Sequence, residues 1–480
     1  MQELMKTKII ATVGPATSSE EKIRELILAG AKIFRINSSH ESKEMHKTRI
    51  ETIRKVSKEL NMHIPIVLDL QGPKIRVGNL KEPIELVEGT KVVLKPGLDQ
   101  EDPAVIPVDY MGIINDVRKG DKILLDDGKL GIEVTALTKD TITAKVLYGG
   151  TLKPRKGLNI PGTTASISAV TDKDIDFIKF GVKNNVDYFA LSFVRTKEDI
   201  VTAKSYIHKF KGDIPVIAKI EKPQALDNLE GIIMVADSVM VARGDLGIEI
   251  SPEHVPIAQK QIIEMANAHR KEVIVATQML ESMIVDPMPT RAEASDVANA
   301  ILDGTDAVML SGETAVGKYA VETVGMMNLI AQNIEKSSFY KSNKFISSKE
   351  YLYEVDSQAI ASAVIRMLSE VEISAIVAFT RSGFTGKLLS KAKPSVPIIA
   401  ISDNEKTCRK LNLSWGIFPY LMPFEVNFTE ELLSKLDDML MKETMLNAGD
   451  KIVITGAMPY LVGKTNFLRL HQVGSSGTMF

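Results

Sequence analysis

Several runs of this sequence put charged and hydroxyl-bearing side chains directly after short apolar stretches. In Arg35-Ile36-Asn37-Ser38-Ser39-His40, positions 35, 37 and 39 share a face if the run is a strand, so a cation and two neutral oxygen-bearing groups point together. Asp69-Leu70-Gln71-Gly72-Pro73-Lys74-Ile75-Arg76 offers a carboxylate followed by two cations, and Lys219-Ile220-Glu221 offers a same-face cation and carboxylate. Arg243-Gly244-Asp245-Leu246-Gly247 adds a second carboxylate between glycines that allow close backbone approach. Thr277-Gln278 and Ser311-Gly312-Glu313-Thr314 add hydroxyls. Each feature has a plain structural alternative: Lys219 with Glu221 could be only a salt bridge, and each hydroxyl only a helix cap. Together they describe metal-assisted phosphoryl transfer. Glu221 and Asp245 suit a hard divalent cation that keeps positions open for phosphate oxygens, and Lys219 and Arg35 suit a transferring anionic group.

The elements that must carry these groups alternate along the chain. Apolar strand cores at Ile9 to Val13, Ile33 to Asn37, Ile66 to Asp69, Tyr188 to Phe193, Val216 to Ile220, Val239 to Ala242, Val273 to Thr277 and Ala307 to Leu310 are separated by amphipathic stretches. Eight such units close a (β/α)8 TIM barrel, whose functional residues belong at the C-terminal strand ends. Ser18 with Glu21 and Thr290 with Glu293 have capping-box spacing, while Gly30 and Gly304 sit where helices should stop. After Pro73 the third unit gives way to β-rich runs, Thr90 to Leu94, Lys122 to Leu125, Leu130 to Leu137 and Thr141 to Leu147, which read as an inserted small β-barrel able to act as a lid. Lys336 to Glu350 reads as a linker. Beyond it, strands Ala375 to Phe379, Pro397 to Ile401, Ile417 to Leu421 and Lys451 to Thr455 predict a C-terminal open α/β domain. The expected divisions are 1–73 and 171–340 for the barrel, 74–170 for the insert and 341–480 for the last domain.

Bulk composition narrows the partners. At 480 residues with 44% hydrophobic content the chain exceeds one compact core. Its 59 Lys and Arg against 61 Asp and Glu give no global field toward nucleic acid or a membrane surface. A single cysteine and no long apolar N-terminal run imply a cytoplasmic location. No Walker-type loop is present, so nucleotide phosphates must be held by the barrel mouth and its lid.

The runs Phe34-Arg35-Ile36-Asn37, Ala218-Lys219-Ile220-Glu221, Met240 to Gly247, Ala276 to Met283, Pro289 to Ala300 and Leu310 to Ala315 resemble pyruvate kinase, over essentially the whole chain. The resemblance implies a phosphotransferase that moves the phosphoryl group of phosphoenolpyruvate to ADP, giving ATP and pyruvate in the last step of glycolysis. It implies Mg2+, or Mn2+, on Glu221 and Asp245, and Lys219 on the phosphoryl in flight. Gly244, Asp245 and Thr277 would hold the substrate carboxylate, and Arg35 the phosphate. Thr277 and Ser311 would line a water-linked proton path to the enolate, with Pro15, Asn37, His40, Arg76 and Lys173 at the nucleotide. A homotetramer is also implied.

Departures from the family pattern carry further expectations. The family's monovalent site maps to Asn37, Ser39, Asp69 and the Leu70 carbonyl, but the glutamate of potassium-dependent relatives is Lys74 here, as in potassium-independent ones. An ammonium there would replace K+, since both together repel, so K+ is expected to be dispensable; the alternative is a solvated hinge lysine. Glu41 stands where the family usually has glycine and reads as a solvated helix start. In Thr380-Arg381-Ser382-Gly383-Phe384-Thr385-Gly386, a strand-to-helix turn suits a phosphate, where the family places its effector, although ordinary turns use the same residues. A barrel lyase acting on enolpyruvate and a catalytically dead effector-binding relative are the rival readings.

Overall fold

The computed structural model describes residues 5–162, 167–340, 355–424, 429–457 and 464–475; most of the expected linker and residues 163–166 lie outside them. Eight parallel strands form a closed barrel: β1 (Lys8–Thr12), β2 (Ala31–Asn37), β3 (Ile66–Asp69), β4 (Tyr188–Leu191), β5 (Val216–Ile220), β6 (Ser238–Ala242), β7 (Glu272–Ala276) and β8 (Ala307–Leu310), each beside its sequence neighbour. Parallel strands covered on both faces bury every residue, and β1, β3 to β8 do so along their whole length, which is why their cores read as continuous apolar runs. β2 is the exception, with Lys32, Arg35 and Asn37 only half-buried.

Helix ends follow local chemistry. Thr290 and Glu293 make the full capping box of the helix Arg291–Leu302. The cap of the first helix is Ser19, not Ser18. The Ser19 side chain accepts from the Lys22 N–H, which leaves Glu20 and Glu21 in the first turn, where carboxylates meet the helix dipole favourably. Gly30 closes that helix at φ 130.

Two compact units are distinguished. The first comprises Met1–Leu68, Asn184–Tyr188 and Ile263–Phe480, the second Asp69–Lys183 and Phe189–Ile262. The second contains the insert, a six-stranded sheet in the order Leu158–Asn159, Lys122–Leu125, Leu130–Leu137, Ile142–Tyr148, Lys91–Pro96, Val105–Val108. Alternate residues such as Ile132, Val134, Ile142, Ala144 and Val146 fill its core. The first contains a five-stranded sheet in the order Ile417–Leu421, Ile398–Ser402, Ala375–Phe379, Lys451–Gly456, Phe467–Gln472. Its last strand is antiparallel and unforeseen, because the edge run Phe-Leu-Arg-Leu-His-Gln mixes polar residues such as the exposed Arg469 with apolar ones. Among the described residues no helix is long and apolar enough to cross a membrane.

Within the first unit, the N-terminal end of β8 is tied by buried charge to the end of the helix Phe384–Lys391 of the C-terminal domain. Asp306, just before β8, accepts from Lys391 Nζ at 2.5 Å and Lys393 Nζ at 3.4 Å, and from the Val273 N–H at 2.9 Å. Burial alone would raise its carboxyl, but the two ammonium groups outweigh that and hold it below the usual range. Lys393 is wholly buried, its ammonium 4.7 Å from the Trp415 ring centre, and burial lowers it to about 8. Asp306→Asn would leave two ammonium groups buried without their counter-ion. Chemical denaturation is expected to show a loss of about 3–5 kcal/mol; a loss under about 1 kcal/mol would rule out this pairing as a main tie.

Candidate active site

The second unit collects two of the expected residues, Asp69 and Glu221, around the ammonium group of a third, Lys219. Lys219 on β5 is 9% exposed. Its Nζ lies 2.9 Å from Glu221 Oε1, 3.3 Å from Asp69 Oδ1 and 2.7 Å from the Ser192 hydroxyl. Ser192 in turn donates to the Leu70 carbonyl at 2.7 Å, so the end of β4 braces the end of β3. The Glu221 carboxylate accepts the Phe193 N–H at 2.7 Å through its other oxygen. Burial pushes the Glu221 carboxyl up, and nearby Asp245 adds to this while Lys219 opposes it. A raised carboxyl beside a second carboxylate is a site that gains from a divalent cation. Among the described residues no group of three or more His, Cys, Asp or Glu could hold a metal. Glu221 and Asp245 form a pair of carboxylates, an arrangement that can serve a divalent cation completing its shell with water and substrate oxygens.

Backbone geometry around this cluster is tight. Gly72 has φ 67, and a Cβ there would meet Phe193 Cδ2 at 2.8 Å and Ser192 Cβ at 3.0 Å. Only glycine lets the chain leave β3 against the end of β4. Asp245 and Gly244 lie in the first turn of the helix Arg243–Ile250, which starts directly where β6 stops. At the hinge into the insert, Lys173 Nζ donates to Gln71 Oε1 at 2.5 Å, and burial followed by the Arg76 charge lowers the Lys173 ammonium. Those two nucleotide candidates therefore share a neighbourhood. Lys74 lines a cleft with Pro73, Ile75, Asn159, Arg195 and Lys222. Beside it, Glu249 Oε1 accepts from both Lys222 Nζ at 2.6 Å and Asn159 Nδ2 at 3.1 Å.

The first unit holds the remaining candidates. Arg35 Nη1 donates to the Thr12 hydroxyl at 3.2 Å, and that hydroxyl donates to the Leu310 carbonyl at 2.8 Å, which aims the guanidinium from β2. Asn37 Oδ1 accepts the Ser39 N–H at 3.1 Å; β2 ends at Asn37, so Ser39 stands in the turn beyond it and not on the strand face expected for it. Pro15 and His40 are exposed. Thr277 and Gln278 have φ 71 and 52, two consecutive left-handed residues, the first β-branched and therefore strained. Thr277 Oγ1 donates back to the Ala276 carbonyl at 2.6 Å. Ser311 precedes the short helix Gly312–Ala315 but makes no capping bond with its side chain. Its hydroxyl is buried with no hydrogen-bond partner among the described residues. The plain helix-cap reading therefore does not describe Thr277 or Ser311. Glu313 accepts from the Ser311 N–H at 2.6 Å and the Leu280 N–H at 3.3 Å, fixing the exits of β8 and β7.

In the phosphate-loop candidate, Gly383 has φ 89, its N–H donates to the Thr380 hydroxyl at 3.0 Å, and the Phe384 N–H donates to the Ser382 hydroxyl at 3.4 Å. Arg381 pairs with Asp403 at 2.9 Å, and Thr385 shares a hydrogen bond with Thr465 at 2.8 Å.

Ser192, Glu249, Glu313 and Lys222 escaped the sequence reading. Ser192 carried a usable signal, a hydroxyl at a barrel strand's C-terminal end. Glu41 corrects an expectation in part: the residue is exposed, but it lies before the N-cap Ser42 and not in the first turn, and its carboxylate is paired with Arg49.

An eight-stranded parallel barrel with a buried lysine among carboxylates at its strand ends, an inserted sheet and a C-terminal α/β sheet defines a multidomain barrel enzyme. Residues 4–324 match the family "Pyruvate kinase, barrel domain", and residues 358–471 match "Pyruvate kinase, alpha/beta domain". Pyruvate kinases of Staphylococcus epidermidis and Staphylococcus aureus are each 43% identical over 476 residues, covering 98% of this chain and 81% of theirs. The crystal structure of a pyruvate kinase from Cryptosporidium parvum superposes with a TM-score of 0.92 at 33% identity, over 98% of this chain and 96% of that one. The chain belongs to the pyruvate kinase family.

Proposed function

We propose that these strand-end groups carry out the pyruvate kinase reaction, the transfer of the phosphoryl group of phosphoenolpyruvate to ADP to give ATP and pyruvate. The observation that carries the assignment of roles is the Lys219 ammonium, buried within hydrogen-bonding reach of Ser192 and paired with Asp69 and Glu221. Glu221 and Asp245 would hold Mg2+, which when bound supplies positive charge to the phosphoryl oxygens. Lys219 stabilises the same oxygens from the protein side, and Arg35, aimed by Thr12, binds the phosphate. The N–H groups of Gly244 and Asp245, at a helix start, take the substrate carboxylate together with the Thr277 hydroxyl. Once the phosphoryl has left, the enolate must gain a proton at carbon. A hydroxyl is a poor free acid at neutral pH, so Thr277 and Ser311 orient a water, and the buried unpaired Ser311 hydroxyl suits that role. Pro15, Asn37, His40, Arg76 and Lys173 bind ADP.

A coupled assay separates this reading from its rivals. Pyruvate formation is expected to need both ADP and Mg2+, and Lys219→Met is expected to lower kcat by roughly a thousandfold or more. Turnover without ADP would point to a lyase, and none in the wild type to a binding protein.

Lys74 is proposed to make potassium dispensable by supplying the positive charge that a monovalent ion on Asn37, Ser39, Asp69 and Leu70 would bring. Exchanging KCl for NaCl at equal ionic strength is expected to leave the rate unchanged; strong activation by K+ would end this proposal.

The turn Thr380 to Thr385 is proposed to bind a phosphorylated regulator within a homotetramer, supported by its left-handed Gly383 at a helix start. Sugar phosphates or nucleotides are expected to shift the phosphoenolpyruvate saturation curve of an assembly sedimenting at four times the chain mass. A curve that none of them moves would remove the effector site.

A further inference from the structure

The loop that leaves β2 contains a residue in a conformation its type disfavours. Glu41 has φ 69, in the left-handed region where a side chain strains the backbone and glycine does not. It sits between two fixed points. On one side Asn37 Oδ1 holds the Ser39 N–H. On the other Ser42 caps the helix Lys43–Glu59 by accepting from the Met45 N–H. Glu41 is where the chain turns from the first into the second, against its own preference.

An ion pair opposes that preference. Arg49 Nη2 donates to Glu41 Oε1 at 2.8 Å, and Nη1 donates to Oε2. The Arg49 side chain is 6% exposed and that of Glu41 20%. A forked guanidinium–carboxylate pair at this depth fixes both the position and the plane of the carboxylate, and through it the chain direction at residue 41. Arg49 sits on the helix that follows the loop, so the pair ties the loop to a rigid element. It also offsets the Glu41 charge, so that the added carboxylate does not confront an anionic nucleotide as an unpaired negative group.

We propose that Glu41 and Arg49 form a positioning pair that holds the loop after β2 in the conformation from which Asn37 and His40 bind ADP. The proposal rests on the assignment of those two residues to the nucleotide. Neither Glu41 nor Arg49 touches the reacting atoms; both act through the loop between them and the strand.

Steady-state kinetics of the full-length chain with Mg2+ test it, varying ADP at saturating phosphoenolpyruvate and then the reverse. Glu41→Ala and Arg49→Met are each expected to raise KM for ADP roughly tenfold, about the worth of one charge-assisted hydrogen bond. The value of kcat and KM for phosphoenolpyruvate should stay within about twofold. Glu41→Gly, freed of strain but lacking the pair, is expected to weaken ADP less than Glu41→Ala does. A Glu41→Gly enzyme equal to the wild type would overturn the proposal, because the backbone conformation alone would then suffice. So would an unchanged KM for ADP in Arg49→Met, or equal losses for both substrates. If Glu41→Ala does not fold, Glu41→Gln, which keeps the shape and loses the charge, carries the same expectation. Calorimetric binding of Mg-ADP reads the pair without turnover: about tenfold weaker binding in the variants supports it even if the wild type makes no pyruvate. Unchanged binding overturns it, whereas a wild type that binds ADP but makes no pyruvate refutes only the assigned reaction.

Discussion

The buried ammonium of Lys219 is the constraint around which the second unit is arranged. A charge taken out of water is costly unless ion pairs and hydrogen bonds replace its hydration. Here β3 supplies Asp69, β5 supplies Glu221, and the chain after β4 supplies the Ser192 hydroxyl. Satisfying one cation thus locks three consecutive strand ends together, with Ser192 also gripping the Leu70 carbonyl. The arrangement leaves negative charge in slight excess, because Asp245 raises the Glu221 carboxyl further. A divalent cation and an anionic substrate entering together would complete the balance, which is why phosphoryl transfer suits this geometry better than a static salt bridge does.

Charge is used differently at the opposite strand ends. Asp306 before β8 and Asp187 before β4 are fully buried and bound on several sides, Asp187 by Arg54 at 2.6 Å, Arg409 at 2.8 Å and the Ile66 N–H at 2.8 Å. Their partners come from helices, from Lys393 in a loop of the C-terminal domain and from the backbone of neighbouring barrel strands. Carboxylates bound from several sides lie at the N-terminal ends, while at the C-terminal ends Asp69 and Glu221 share the single ammonium of Lys219. Multiply bound carboxylates thus sit at one end of the strands and the Lys219 cluster at the other.

Backbone strain does not follow that division, since Asn61, Asn185, Lys211 and Arg270, before β3, β4, β5 and β7, have positive φ as well. Thr277, Gln278, Phe193 and Glu41 all have positive φ, and all lie just beyond β7, β4 or β2 at the C-terminal end. Each conformation costs free energy and persists because neighbours over-determine it. Glu41 is held by Arg49, Phe193 by its N–H on Glu221, and the exits of β7 and β8 by Glu313.

The sequence by itself determined the eight strand cores and the residues that follow them. Strands covered on both faces must be continuously apolar, so a charged residue at their end stands out. It also determined Lys219, Glu221 and Asp245 as candidates, because spacing within one strand or turn is a local property. Only the tertiary structure decided their partners. Ser192 lies 27 residues from Lys219, and Glu313 lies 33 from Leu280, separations at which no periodicity acts. The antiparallel edge strand Phe467–Gln472 was hidden because its partner, not its composition, makes it a strand. The left-handed Thr277 and Glu41 were hidden because their residue types argue against that conformation, and packing outweighs local preference there. Chain chemistry thus marked where the site lies, and long-range contacts alone determined which side chains are buried together and which are held under strain.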